Sequence, residues 1–356
     1  MVPTRASSVK AVSSKPTPRT KPSGENTSRV TKRSAKASYQ SNSAFTGGKK
    51  SSTSSSSSKT TKIKSITAYS PKFTQHLSSH GIYLDGYDRP CGKPMPKPKN
   101  FDNLHDILSR SRRAVSPTDL SADDFQKFKF RDTIAVNESG VIGLLIPTMD
   151  GSNKNRGSTA MDHLCSNLAS MTDDTLVIAK PDLLYGARPE QLNRLIRDDL
   201  DDMIVPSTYK HFPMLPNFFL EVKGPDGSPA VAARQACHDG AIGARGIHAL
   251  QSYKNDSPVY DKNAYTITAT YQCGHLRLYT THIEPPVDTN GRPEYVMTSL
   301  CSYSMVNSLE TFRQAVTTYR NLRDWAKEQR DASITAANAR FKDAQNQLAL
   351  EEPQGS

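Results

Sequence analysis

Residues 218–227 read FFLEVKGPDG. Successive side chains of a β-strand point to opposite faces, so Phe218, Leu220 and Val222 face one way and Phe219, Glu221 and Lys223 the other. A carboxylate and an ammonium two apart on one strand face, flanked by large apolar residues, are an unusual pair to bury. The flanking apolar residues place the strand in the middle of a sheet. The residue types suit a metal-ligating carboxylate beside a lysine that orients water. Upstream, the turn Lys180-Pro181-Asp182 opens a second apolar run, so the two pieces read Pro181-Asp182 … Glu221-Val222-Lys223.

That ordered pattern resembles the PD-(D/E)xK nuclease superfamily and its restriction-endonuclease-like fold. Pro181 and Asp182 match the first element, Glu221 and Lys223 the second. The stretch from Phe73 to Trp325 also resembles a family of fungal proteins of unknown function assigned to that superfamily. The segments FTQHLSSHGIYLDGYDRPCGKPMPKP, FFLEVKGPDG and AARQACHDGAIGARG carry this second resemblance. The resemblance implies a Mg²⁺ (or Mn²⁺) held by the carboxylates of Asp182 and Glu221, with the backbone carbonyl of Val222 as a third oxygen. Such an ion neutralises phosphate charge and lowers the pKa of the water it binds. Lys223 would orient the attacking water or stabilise the charge that develops on the phosphorus centre. The glutamate of the first core helix is matched by Glu138 in VNESGVIGLLIP, and a recurrent glutamine on the helix after the lysine strand by Gln235, placed to contact water or substrate.

Composition sets bounds on partners. The chain has 356 residues and a formal net charge of +11. Of its 46 Lys/Arg and 35 Asp/Glu, residues 1–64 hold 14 bases and one acid, Glu25, which leaves 32 bases against 34 acids in residues 65–356. The basic character therefore belongs to the N-terminal tail, and a domain that grips duplex DNA without sequence preference ordinarily makes many phosphate contacts. The tail is Ser, Thr, Lys and Pro with few large apolar groups, so it cannot bury enough surface to offset chain entropy and is expected to be disordered. The cluster Arg29-Val30-Thr31-Lys32-Arg33 suits a nuclear-import signal or an ordinary solvated basic tail. No apolar signal segment follows the N-terminus, no apolar run is long enough to cross a membrane, and five cysteines without regular spacing point to a reducing, intracellular setting.

The remaining residues divide into elements by periodicity and punctuation. Residues 65–100 read as an irregular arm, broken by Pro71, Pro90, Pro94, Pro96 and Pro98. Helices are expected over 101–113, 116–130, 133–147 (ending at Pro147), 162–171 and 189–203. A strand is expected over 175–179, running into residues 181–185. After the strand 217–223, Ser228 and Pro229 open a long helix to Tyr253 whose small residues Ala232, Ala236, Gly240 and Gly243 would let it sit close on a sheet. Strands follow at 265–271, 276–283 and 295–300, then a helix over 309–337. The expected organisation is a tail (1–64), an arm (65–100), an α/β domain with a mixed central sheet flanked by helices (101–335), and a polar C-terminal tail (336–356).

Competing motifs fit less well. His282-Ile283-Glu284 has the H-x-E of zinc deaminases but no P-C-x-x-C follows. Cys237-His238 and Cys273-x-His275 lack zinc-ligand spacing and read as a core thiol and a surface histidine. Gly47-Gly48-Lys49-Lys50 lacks the leading glycine of a P-loop, because position 43 is Ser43. The functional expectation is a divalent-metal-dependent nuclease acting on DNA, with RNA as second choice. The alternatives are a catalytically silent module of the same fold that binds nucleic acid or protein, and a chromatin-associated protein that binds through its basic tail.

Overall fold

The computed structural model describes residues 65–90, 92–110, 120–151, 158–288 and 291–351. The N-terminal tail, with its basic cluster and the P-loop-like glycines, lies outside the described residues. The described residues belong to one compact unit, Thr61–Ser356. At its centre is β4 (Met214–Lys223), all ten of whose residues are buried. Its two faces enter different cores, as the alternation demands. Phe218, Leu220 and Val222 pack against Phe312, Tyr319 and Leu322 of the C-terminal helix, whereas Phe219 packs with Ile242, Leu184 and Cys165.

The sheet has seven strands. From one edge these are β1 (Ile82–Tyr83), β7 (Glu294–Ser304), β6 (His275–Glu284), β5 (Ala264–Gln272), β4, β3 (Leu183–Ala187) and β2 (Thr159–Met161). It is mixed: β1 runs parallel to β7 and β4 parallel to β5, while the other neighbours are antiparallel. The parallel step from β4 to β5 is made by helix α7 (Pro229–Ser252), as a parallel pair requires a crossover. One face of the sheet is covered by α2 (Phe101–Ser109), α3 (Ala122–Ile134), α4 (Glu138–Asp150) and α8 (Leu309–Glu351). The other face carries α7 and the arm helix α1 (Lys72–Ser79). The expected α/β class, a mixed sheet flanked by helices, is the observed one.

Helix α7 meets the sheet through its glycines. A Cβ on Gly240 would lie 2.3 Å from Thr281 Oγ1, and one on Gly243 would lie 2.7 Å from Phe219 Cε2 and 3.0 Å from the Pro216 carbonyl oxygen. The small-residue face thus lets the helix sit flush on β4–β6.

Several boundaries differ from the sequence reading, each for a local reason. The arm is not irregular throughout: no proline falls within residues 72–79, Pro71 stands just before them, and Phe73 and Leu77 anchor α1 in the core. Residues 133–147 are divided between α3 and α4. Ser121 and Asp124 close a capping box on α3, and the Asn137 side chain caps α4. Pro147 lies inside α4, which runs on to Asp150. Residues 162–171 form no helix, because their backbone donors serve other segments: Cys165 N–H bonds the Ala179 carbonyl and Ala169 N–H the Asp202 carbonyl. Residues 175–179 contribute only a bridge from Leu176 to Ile66. The expected helix 189–203 breaks into a 3₁₀ turn and two short helices, α5 (Arg194–Asp199) and α6 (Asp201–Ile204). Helix α8 continues past residue 337 as far as Glu351, because Phe341 packs with Ile196, Ile247 and Leu250.

The glycine contacts make one substitution act in opposite directions. Gly243→Ala should lower the unfolding free energy by about 1–3 kcal/mol through overpacking. Gly143→Ala, on the exposed side of α4 with open space around its Cα, should raise it by about 0.5–1 kcal/mol. Urea denaturation of the two variants measures both, and a neutral Gly243→Ala would contradict the flush packing.

Candidate functional site

The antiparallel register assembles the site. Leu183 pairs with Leu220, so Asp182, one residue earlier, stands across from Glu221, and directly opposed residues share a face. Asp182 Oδ2 accepts the Val222 backbone N–H at 2.7 Å, which fixes the carboxyl against β4. Lys223 follows two residues after Glu221 on the same face and is 2 % exposed. Its Nζ lies 3.0 Å from Glu138 Oε1 and 3.6 Å from Glu221 Oε2, and donates to the Val222 carbonyl at 2.8 Å. Glu138 reaches this point because Gly224 has no side chain. A Cβ there would stand 2.9 Å from Asn137 Cα and 3.2 Å from Glu138 N, so only glycine lets the start of α4 close on the end of β4.

Helix α7 supplies the rest. Gln235 and Asp239 are four residues apart, hence on one helix face. Glu221, Gln235, His238 and Asp239 line a cleft of about 140 Å³, closed on its other sides by residues 177–180 and by Thr67, Ala68, Tyr69 and Phe73 of the arm. Three buried oxygens here have no hydrogen-bond partner: Glu221 Oε2, Gln235 Oε1 and Asp239 Oδ2. At 3.6 Å the Lys223 contact with Glu221 is an ion pair without a hydrogen bond.

Burial dominates the electrostatics. It pushes the Asp182 carboxyl up to about 6, against the opposing pull of the Val222 N–H and Lys223. Burial also raises Asp239 to about 7 and lifts Glu221 well above the usual carboxylate range, with the Asp239 and Asp182 charges adding to the rise. The Glu221 and Asp239 carboxyls are close enough for the protonation of each to depend on the other. Burial opposes the Lys223 charge, but Glu221, Asp182 and Glu138 outweigh it and hold its pKa above the ordinary value. Burial, with the nearby Arg245, pulls His238 down to about 4, leaving a neutral imidazole.

The structure therefore brings together Asp182, Glu221, Lys223 and Glu138, with Gln235 on the cleft wall. The Val222 carbonyl, expected as a metal ligand, accepts the Lys223 ammonium. His238 is no surface residue: it is buried and stands edge-on to Phe73 at 6.3 Å. Asp239 was not among the sequence candidates. Its signal was a carboxylate four residues after Gln235, one residue before Gly240 on the helix expected to lie against the sheet. Unpartnered carboxyl and amide oxygens around one cleft are a hard donor set, which fits Mg²⁺ or Mn²⁺. Among the described residues, however, the one set of three His, Cys, Asp or Glu ligand atoms all within 4.8 Å of one another lies elsewhere, at His76, His80 and Asp173.

Residues 135–337 match the family model described as Domain of unknown function (DUF7924), and the chain belongs to that family. The matched region contains Glu138, Asp182, β4 and α7 but not the arm. No curated protein matches the chain. Among the described residues no helix is long and apolar enough to cross a membrane.

The raised carboxyls have a consequence for stability. The folded protein keeps the Asp239 proton up to about pH 7, whereas the ordinary value is 3.8. At this group the folded protein thus binds more protons than the unfolded chain between those values, and the Asp239 contribution to stability falls as pH rises through that window. Asp239→Asn removes this titration. Its Tm relative to wild type should rise steadily from about pH 4 to about pH 7, by about 2–4 °C for each kcal/mol in a domain of this size. Melts across that range without divalent ions check this, and a Tm difference independent of pH would mean that Asp239 titrates normally.

Proposed function

We propose that the protein is a divalent-metal-dependent phosphodiesterase of the PD-(D/E)xK kind, acting on DNA and secondarily on RNA. The observation that carries this reading is the register that sets Asp182 across from Glu221, with Lys223 next on the same face and unpartnered oxygens around the adjoining cleft. Asp182, Glu221 and the second lone pair of the Val222 carbonyl would hold Mg²⁺ or Mn²⁺, which supplies charge neutralisation and a more acidic water. The residues of the chain do the rest. Lys223, anchored by Glu138, presents an ammonium to the water or to the non-bridging phosphate oxygens. Asp239, which burial raises to about 7, would hold a proton near neutrality, as an acid–base group acting at that pH needs. Gln235 offers an amide to the same cleft. The basic cluster Arg29–Arg33 supports a nuclear setting for such an activity.

A second reading is favoured by a specific observation. The arm residues Thr67–Tyr69 and Phe73 wall the cleft, and its volume suits one phosphate better than a duplex. A module that keeps the core of this fold and binds nucleic acid or protein without cutting would look the same.

Cleavage assays on linear, single-stranded and RNA substrates with Mg²⁺ or Mn²⁺ separate the two readings. Lys223→Ala should abolish cleavage yet retain the stabilisation by the ion, which is about 2.7 kcal/mol when the ion is at one hundred times its Kd and is read as a rise in Tm. Glu221→Gln should lose both. Equal residual activity in wild type and both variants would remove the enzyme reading, and an ion-dependent Tm without cleavage would favour the binding module.

The charge partition yields a separate expectation. Residues 1–64 carry 14 bases and one acid, so they should supply most of the nonspecific nucleic-acid affinity. Each phosphate contact contributes about −0.9 to the slope of log K against log salt. Deleting residues 1–64 should flatten that slope and weaken binding while leaving cleavage chemistry in place. A truncated protein with the original slope would place the basic surface in the domain.

A further inference from the structure

We propose that His76, His80 and Asp173 form a second metal site, selective for a borderline transition ion such as Zn²⁺, which locks the arm down beside the carboxylate cleft. His76 lies in the last turn of α1 and His80 caps that helix. Four residues apart, they share one helix face, with ring centroids 4.5 Å apart. Asp173 comes from the loop on the other side, its Oδ1 3.0 Å from His76 Nε2. One ligand atom from each residue lies within 4.8 Å of the others. A tetrahedral ion with bonds of about 2.0–2.2 Å needs its ligands about 3.3–3.6 Å apart, so the three groups stand within a side-chain rotation of a ligating arrangement.

The surroundings orient two of these ligands, His80 and Asp173, as metal sites require, while His76 Nε2, which faces Asp173 Oδ1 at 3.0 Å and the Thr175 hydroxyl at 3.2 Å, would exchange those contacts for an ion. His80 Nδ1 stands 2.8 Å from the His76 carbonyl oxygen. An N–H donated there leaves Nε2 with its lone pair for an ion. The Thr175 hydroxyl and backbone N–H both donate to Asp173 Oδ1, at 2.6 and 3.2 Å. These bonds fix the carboxylate and leave Oδ2 available. The hydroxyl bond is the largest cause that holds the Asp173 carboxyl down at about 2, so the ligand is ionised across the physiological range.

Thr175 also marks what the ion would tie together. The Ile66 N–H bonds the Thr175 carbonyl at 2.7 Å, and the Val177 N–H returns to the Ile66 carbonyl at 3.1 Å. The arm is therefore already pinned to this segment at one point, and the ion would add a second from α1. Between the two pins, Ala68 and Phe73 face Val177–Lys180 across the carboxylate cleft. Two imidazoles and one carboxylate are softer than the all-oxygen set of that cleft, so Zn²⁺ and Mg²⁺ would partition between the sites. Three protein ligands leave a fourth position for water. The site does not depend on the nuclease reading, because it closes the arm whatever the cleft does.

The test is titration of the tag-free full chain with Zn²⁺ by calorimetry and with Co²⁺ by visible absorption, in the presence of millimolar Mg²⁺. Residues 1–64 contain no His or Cys, so the tail supplies no competing imidazole or thiolate. One ion per chain is expected, with Co²⁺ bands of tetrahedral intensity. His80→Ala and Asp173→Asn should each weaken binding at least about tenfold, while Glu221→Gln leaves it unchanged. Metal-free melts of the variants that match wild type exclude misfolding. Proteolysis within residues 65–100 should slow on adding Zn²⁺ to wild type and not to His80→Ala. Unchanged affinity in both His80→Ala and Asp173→Asn, or loss of binding in Glu221→Gln alone, would overturn the proposal and leave a His76–Asp173 side-chain contact.

Discussion

Everything at the site depends on β4 being covered on both faces. A strand buried on one side can turn its polar residues to water, but this one cannot. Its last residues are Glu221, Val222 and Lys223, and all three are buried. Charges taken out of water must be met by other charges or by hydrogen bonds. The neighbouring elements meet that demand only in part: Asp182, just before β3, accepts the Val222 N–H and Glu138 from the start of α4 pairs with Lys223, whereas Asp239 from the middle of α7 adds a like charge beside Glu221. The fold and the site are thus one problem, because the helices that seal the sheet carry the groups that set the charge balance at its end.

The partners must themselves be held, and the structure shows how for α4. At its C-terminal end, Arg320 of α8 donates to the Met149 and Thr148 carbonyls at 2.8 and 3.0 Å, and Arg323 pairs with Asp150. Asp150 also accepts the Tyr185 hydroxyl at 2.7 Å, which links α4 to β3. At its N-terminal end the helix rests on Gly224. Glu138 therefore reaches Lys223 from a helix fixed at both ends. Deeper in the interface, Arg330 of α8 bonds the Asn217 side chain, whose amide donates to the Ala326 and Tyr265 carbonyls, so the same long helix is keyed to β4 near its start.

The sequence was legible where one pattern sufficed. Alternation over residues 218–223 assigned each side chain to a face, and Pro181-Asp182 before the second apolar run announced the opposing strand. The spacing of Gly240 and Gly243 foretold a helix lying flush on a sheet. It was illegible where a decision belonged to tertiary contacts. Residues 162–171 have helix-like composition, yet their N–H groups are taken by the Ala179 and Asp202 carbonyls. Proline density over the arm as a whole hid α1, while the proline-free stretch 72–79 carried the helix. Asp239 escaped because a single carboxylate in a helix reads as solvated until a strand with its own carboxylate is known to lie beneath it. His76, His80 and Asp173 could not be joined at all from sequence, since nothing in the order of residues brings the loop at 173 to the end of α1.

The composition of the β4 end also argues against a purely architectural origin. Three carboxyls raised by burial, and oxygens left without partners, are unfavourable to folding. Well-packed apolar residues at buried ion-pair positions are often neutral or more stable, by about 1–4 kcal/mol. Val or Thr at 221 and an apolar residue at 223 would continue the alternation of β4 without these costs. Folding alone thus gives no reason for two neighbouring buried carboxyls, a lysine held against one of them, and a cleft that opens on the unpartnered oxygens. Such frustration concentrates where proteins do chemistry or bind ions. The cleft is where a cation or a phosphate would relieve it: a cation by satisfying the Glu221 and Asp239 oxygens, and a phosphate by pairing with the cation and Lys223 together.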